Sequence, residues 1–420
     1  MPEHASEKPR ILLLLPTRTY RATDFLAAAM KLDVEVVVAS EEPATTTDVS
    51  PRDSLVLDFS TPIAATQTIT EFAETHPIAA IVGVDDDTTL LATIAAAALG
   101  LPHNSVESAK ATRNKYHLRQ TLAKGGVSCP KFRCFSIHDN PTEISNNVDF
   151  PCVIKPLSLS ASRGVMRADT PCEFTDAFRR ITALLQTLET EADTNAASSH
   201  SEVLIEDYIP GIEVALEGIL LDGELKTLAL FDKPDPLEGP FFEETLYITP
   251  SRLSPEVQNE LQSATAEAAA ALGLRHGPVH AELRYNTKGA HLIEIAARTI
   301  GGLCSRTLRF GTDMSLEELV IRHAIGQHVE TLHREQRAAG VMMIPVPKAG
   351  ILGEVRGKSA ARKVDGVTEV NITIPIGGEV VPLPEGARYL GFIFAQSETP
   401  EAVEAALREA HRRLEFVILA

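Results

Sequence analysis

The segment VHAELRYNTKGAHLIEIAARTIGG, Val279 to Gly302, reads as two largely apolar strands joined by a polar turn. Each strand carries a glutamate, Glu282 and Glu294, that its apolar neighbours do not account for. In the turn, Asn286 at the first position and Gly289 at the fourth fit a type I turn closed by a left-handed glycine, with Thr287-Lys288-Gly289 as a three-residue loop. Asn286 then pairs with Ala290, and counting outward sets Glu282 opposite Glu294. By parity His280, Glu282, Arg284, Glu294, Ala296 and Arg298 share one face, while Ala281, Leu283, Tyr285, Ile293, Ile295 and Ala297 form an apolar one. Like charges directly across a strand pair repel. A hard, oxygen-seeking cation such as Mg²⁺, which binds through one or two carboxylates plus substrate phosphates, would relieve the contact. An exposed hairpin with each glutamate paired to Arg284 or Arg298 would do so equally well, and the hairpin by itself leaves both readings open.

A phosphate site also needs cations. The strand FPCVIKP ends on Lys155, just before Pro156, and a loop of small residues, LSLSASRGV, follows. A lysine at a buried strand end needs an anionic partner. Ser158, Ser160 and Ser162 offer hydroxyls, and Gly164 permits close backbone approach, so the loop can wrap polyphosphate oxygens. Upstream, SAKATRNKYHLRQTLAKGGV reads as one cationic helix bearing Lys115 and ended by Gly125-Gly126. GEVRGKS (353–359) imitates a phosphate-binding GxxxxGK[ST] loop, but its glycines are one residue too close, and it reads as a surface turn leading into a helix.

The first hundred residues alternate aliphatic runs (ILLLL, VEVVVA, IAAIVGV) with helical patterns, which implies a doubly wound parallel sheet. No GxGxxG follows any of these strands. The acidic run Asp85-Asp86-Asp87 reads as a solvated helix start, since carboxylates favour the positive helix end. Further on, TEADTNAASSHS (190–201) reads as a mobile surface loop, IEVALEGILLDGELKTLALF as a hairpin turning at Asp222-Gly223, and Ser254 to Gly273 as an Ala-rich helix. From about Val341 the strands VMMIPVP, VTEVNITIP and YLGFIFAQ and a final helix, TPEAVEAALREAHRRLEFV, make a smaller α+β unit.

With 420 residues, two or three domains are expected. A net charge of −18 argues against nucleic acid or an anionic membrane as partner, and no apolar run approaches a membrane span. The five scattered cysteines, without a CxxC pair, fit reduced thiols in a cytoplasmic protein.

In series, RNKYHLRQ, CVIKP with its small-residue loop, IEDYIPGIEV, and HAELR…LIEIAARTIGG resemble the ATP-grasp superfamily, specifically its carboxylate–amine ligases and most nearly the dipeptide-forming L-amino-acid ligase branch. The resemblance implies an α/β and α+β multidomain chain: a Rossmann-like preATP-grasp domain (1–105), an ATP-grasp domain carrying the nucleotide and metal site (106–335), and a C-terminal α+β subdomain (336–420). It implies that Lys115 and Lys155 hold the α- and β-phosphates of ATP and that the loop with Ser160, Ser162 and Gly164 covers them. Glu206, Asp207, Tyr208 and Ile209 would form the adenine hinge through backbone groups, and Glu213 would bind the ribose. Glu282 and Glu294 would carry Mg²⁺ (or Mn²⁺), and Arg298 would stabilise the transferring phosphoryl group. His280 stands where several relatives have arginine; a contact to the phosphate or acyl group and a structural hydrogen bond are both open. Ala296 replaces the asparagine many members use as a further metal ligand, so one metal is expected to have fewer protein oxygens. Glu243 or Glu244 could meet a substrate ammonium or lie in an exposed acidic loop. Gly301-Gly302 with Ser305 and Arg306 could form a nest for a substrate carboxylate or simply pack at a tight turn.

The expected reaction joins a small-molecule carboxylate to an amine through an acyl-phosphate, releasing ADP and phosphate. The rivals are a biotin-carboxylase-like or purine-pathway ATP-grasp reaction and a non-catalytic nucleotide-binding regulatory module. Relatives of this kind are often homodimers.

Overall fold

The computed structural model describes residues 8–43, 54–191 and 201–420. The greater part of the polar 190–201 segment lies outside that range. In the first hundred residues, strands Ser54–Val56, Glu35–Ser40, Arg10–Leu14 and Ala80–Gly83 lie side by side in a parallel sheet, as the alternating pattern implied. Ile11 and Leu13 enter one hydrophobic cluster while Leu12 and Leu14 enter another. The run is uniformly aliphatic because both faces of this sheet are covered.

The cationic stretch is two helices rather than one. Val106–Arg113 ends where Asn114 turns extended (ψ 111°), and the Asn114 side chain then caps Lys115–Lys124 by accepting from the amides of Tyr116 and His117. Asparagine serves as an N-cap far better than as a helix interior residue. The break puts Lys115 at the first position of its helix, with its amide donating to the Leu157 carbonyl at 2.9 Å.

A four-stranded antiparallel sheet follows, in the order Phe132–Ser136, Glu202–Asp207, Cys152–Pro156, Met166–Ala168. The large sheet has eight strands, in the order Gly289–Ala296, Gly277–Asn286, Ile212–Leu221, Glu224–Asp232, Leu246–Thr249, Ala338–Ile344, Gly391–Ser397, Val367–Ile372. The expected turn at Asp222-Gly223 is present, both residues having the positive φ that a tight hairpin turn demands. The helix Pro255–Leu272 is capped by Ser254 and stopped by left-handed Gly273. Its Leu261, Ala268 and Leu272 pack on Ala281, Leu283, Leu292 and Ile295 from the apolar side of the glutamate hairpin.

The C-terminal stretch is less separate than its sequence implied, because three of its strands extend the large sheet past the 335/336 boundary. The last helix closes at Arg412, and Glu415–Leu419 forms a strand against Gly350–Arg356. GEVR of the GEVRGKS stretch therefore lies in a strand rather than a turn, and the chain reverses at left-handed Gly357. No helix among the described residues is long and apolar enough to cross a membrane.

The glutamate hairpin reaches its expected pairing by another route. Asn286 pairs with Gly289, not Ala290, so the turn is one residue tighter. The register then shifts between Glu282 and Leu283, with Leu283 opposite Leu292 and Glu282 opposite Glu294. The extra residue at this β-bulge is Ile293. A bulge moves subsequent side chains to the other face, so Leu292 enters the core and Ile293, expected on the apolar face, lines the cleft instead. Two departures of one residue cancel, and the carboxylates face each other.

Candidate active site

Between the four-stranded sheet, the large sheet and the first domain lies a cleft of about 1840 Å³ measured to its open mouth. The cavity proper, about 340 Å³, falls within the roughly 300–1,000 Å³ usual for a small-molecule pocket. Of the residues singled out from sequence, the cleft gathers Lys115, Lys155, Ser160, Ser162, Glu206, Asp207, Tyr208, Ile209, Glu213, His280, Glu282, Glu294 and Arg298.

One wall is cationic. Lys155, buried at its strand end, meets the Glu206 carboxylate at 2.5 Å, and the same carboxylate accepts from Arg119 Nε at 2.6 Å. Two cations thus share one anion in a buried group of net charge +1. Burial favours the neutral carboxyl, yet Arg119 and Lys155 together hold Glu206 below its ordinary pKa. The uncompensated burial falls on Lys155, whose pKa is lowered despite Glu206. Such a group is complementary to a further anion. Lys115 Nζ reaches the Leu159 carbonyl at 2.8 Å and Glu294 at 3.4 Å, which links the small-residue loop to the glutamate hairpin.

The facing wall is anionic. Carboxylate oxygens of Glu213, Glu244 and Glu282 lie within 4.8 Å of one another. Lys233 stands among them, at 3.0, 2.5 and 3.2 Å respectively, and Arg284 holds Glu213 at 2.8 Å. With all three carboxylates ionised, they leave net charge −1 against the two cations. Burial, then the neighbouring Glu282, push Glu244 up to about 7, with Lys233 and Tyr247 offsetting part of this. Although burial opposes its charge, Glu282 is held well below the usual carboxylate range by Lys233 and His280. Lys233 is driven well above its ordinary value by the same carboxylates, against its burial. An all-oxygen donor set with surplus negative charge is the chemistry of a hard divalent cation, so these residues fit Mg²⁺.

The structure revises several expectations. Neither glutamate pairs with the hairpin's own arginines: Glu282 meets Lys233, Glu294 meets Lys115, Arg284 goes to Glu213 and Arg298 to Asp86. Gly164 lies outside the cleft, its amide donating to the Pro384 carbonyl at 2.8 Å. Both Glu213 oxygens are taken by cations. In the hinge segment the amides of Asp207 and Tyr208 donate to Lys131 and Pro151, and Ile209 O accepts from Arg284. His280 makes the structural hydrogen bond of one reading, its Nδ1 meeting Glu217 at 3.1 Å, and its Nε2 lies 3.7 Å from Glu282 in the cleft. Burial disfavours its charged form, but the two glutamates outweigh this and raise it to about 8. Arg306 is tied to Asp24 and Glu369 and does not line the cleft, although Gly301 and Gly302 do. Asp86 is no solvated helix residue, as its 2.8 Å bond to Arg298 establishes.

Lys233 is the main residue that sequence reasoning overlooked. LALFDKP repeats the pattern of CVIKP, a lysine ending an apolar strand before proline, and that signal could have found it.

A cleft with a cationic wall over an antiparallel sheet and an oxygen-donor wall on a second sheet, closed by a Rossmann-like domain, defines a protein of the ATP-grasp class. Family models for the ATP-grasp N-terminal domain, the ATP-grasp domain and L-amino acid ligase C-terminal domain 2 match residues 26–103, 148–307 and 342–418. The chain belongs to the ATP-grasp superfamily. Its structure is similar to that of L-amino acid ligase from Bacillus licheniformis, with TM-score 0.84, 25% identity, and coverage of 99% of this chain and 100% of the other. Alanine–anticapsin ligase of Bacillus subtilis (strain 168) is 28% identical over 52% of this chain and 48% of its own length. Dapdiamide A synthase of Enterobacter agglomerans is 27% identical over 64% of this chain and 63% of its own. The matches thus span about half to just under two thirds of these curated relatives.

Proposed function

We propose that the protein is an ATP-dependent ligase that joins the carboxylate of one small molecule, an amino acid, to the amine of another, giving ADP and phosphate. The observation that carries this reading is the opposed charge of the two cleft walls. A buried +1 group and a buried cluster of three carboxylates facing one space match a polyphosphate on one side and a divalent cation on the other. The similarity to an L-amino acid ligase and to alanine–anticapsin ligase supports the substrate class.

In this reading Lys115 and Lys155 hold the α- and β-phosphates, with Ser160 and Ser162 over them. The amide of Ile209 faces the adenine. Glu282 and Glu294, joined by Glu244 where Ala296 offers no oxygen, would hold Mg²⁺, and the ion would supply charge neutralisation of the phosphates. The substrate carboxylate attacks the γ-phosphorus of ATP, its oxygen forming the new bond while the β–γ bridging oxygen leaves with ADP. The amine then attacks the acyl carbon and phosphate departs. Arg298 lies on the metal face, where it stabilises charge on the phosphoryl oxygens. The units 1–105, 106–335 and 336–420 act as one enzyme, the first and last closing the ends of the cleft.

The test is a coupled ADP-release screen over pairs of amino acids, with mass spectrometry of the product. ADP release requiring both partners, with a condensed product, is expected. ATP binding without turnover for every acid and amine would overturn the reading.

A further inference from the structure

The first domain contributes a carboxylate whose position helix capping does not explain. Asp85 is the N-cap of the helix Asp86–Ala98 and completes a capping box with Thr88. That satisfies the helix end. Asp86, one residue on, could then point to solvent, yet its side chain is 16% exposed and its Oδ2 accepts from Arg298 Nη2 at 2.8 Å. Burial works against ionisation, but Arg298 outweighs it and lowers Asp86 to about 2, so the carboxylate is charged at every working pH. Arg113 braces the same helix start, with Nη1 4.0 Å from Asp86 and Nη2 2.8 Å from Asp87.

Arg298 follows the second glutamate strand and lines the cleft. Its Nη1 donates to the adjacent Thr299 carbonyl at 2.9 Å and its Nη2 to Asp86, so two of its N–H groups are occupied. A guanidinium has five, in a rigid planar fork, and three remain for another acceptor. A bond to its own neighbour in the chain restrains the fork weakly. The charge-assisted bond to Asp86 fixes the plane from outside. We propose that Asp86 is a positioning residue: by holding Arg298 from the first domain, it aims the guanidinium at the transferring phosphoryl group. This rests on the ligase reading for the role of Arg298, while the coupling of Asp86 to Arg298 stands on geometry alone.

The first test is a double-mutant cycle on ADP release with the best substrate pair from the screen. Asp86→Asn should lower kcat about ten-fold or more while leaving the KM for ATP within about two-fold. Asp86→Glu should recover part of the loss. In an Arg298→Ala background, Asp86→Asn should cause no further loss, because the residue through which it acts is gone. An Asp86→Asn enzyme with wild-type kcat, or an equal fold-loss with and without Arg298, overturns the proposal.

The second test needs no turnover. In protein labelled with [¹⁵N]arginine, the resonance that disappears in Arg298→Ala identifies the Arg298 side-chain N–H. It should be sharp in the wild type and broadened or shifted to solvent-averaged values in Asp86→Asn. An unchanged resonance in a folded Asp86→Asn protein overturns the proposal. If the wild type releases no ADP with any pair, the ligase reading fails by itself, and the arginine resonance still decides whether Asp86 positions Arg298. If Asp86→Asn does not fold, Asp86→Glu is read the same way, with a shifted Arg298 resonance expected and an unchanged one contradicting.

Discussion

Replacing Glu206 by glutamine removes the carboxylate that the buried Arg119 and Lys155 share. The side chains involved are almost fully enclosed: Glu206 is 2% exposed, Arg119 1% and Lys155 6%. Losing one partner of a buried ion pair costs about 3–5 kcal/mol, because the other charge stays buried and unpaired. Here two cations lose their partner at once, which places the expected loss in the upper half of that range. Arg119 keeps one anchor, the Ile293 carbonyl at 2.5 Å, so the cost should not double. Urea unfolding followed by far-UV circular dichroism measures it, since the chain has no tryptophan to report by fluorescence. The pH dependence has a definite sign. Glu206 is held below its ordinary value of 4.5, so its stabilisation is complete above that pH and is lost as pH falls through the depressed folded-state value. The gap between wild type and variant should therefore be full at neutral pH and close in acid. A loss under about 1 kcal/mol at pH 7, the size of an exposed pair, would refute the picture of a buried cationic group awaiting an anion.

Other outcomes follow from the same structure. Glu294→Gln should reduce metal-dependent turnover about a hundred-fold with an unchanged circular dichroism spectrum, and near-normal activity would remove Glu294 from the metal site. Gly211→Ala should destabilise the protein by about 2 kcal/mol or more in urea, because Gly211 has φ +125° and an added Cβ would sit 2.2 Å from the Tyr285 carbonyl oxygen. Among the cysteines only Cys172 is exposed. Burial pushes Cys134 up to about 11 and Cys152 up to about 12. Iodoacetamide at pH 8 followed by peptide mass mapping should find Cys172 modified first, whereas early labelling of Cys152 would contradict its burial.

The parts of this architecture legible in sequence were those set by local periodicity. The aliphatic runs of the first domain, the Asp222-Gly223 hairpin and the Ser254-capped helix carry their signals within a few residues, and each formed where expected. Pairing of the two glutamates was also legible, but through an error that cancelled: the turn is tighter than a type I loop with bulged glycine, and a bulge at Ile293 restores the register. A bulge is chosen by packing across the sheet and leaves little local trace. What was hidden is what long-range contact decides. Asp86 and Arg298 are 212 residues apart, so an acidic helix start looked like any other. Lys233 carried a local signal in LALFDKP, but its role stayed hidden because its three carboxylate partners come from three different strands or loops. Arg306 lay near the right glycines in sequence yet is drawn away by Asp24 and Glu369. The unity of the large sheet was missed for the same reason, since no strand announces which distant strand it will pair with.

The central claim is that the cleft activates a carboxylate by transferring phosphoryl to it. Isotope transfer tests this most directly. With an amino acid labelled with ¹⁸O in its carboxylate, one labelled oxygen should appear in the released phosphate, because the oxygen that attacks phosphorus leaves with it when the amine displaces the phosphate. Turnover that yields condensed product and ADP with unlabelled phosphate would contradict the account.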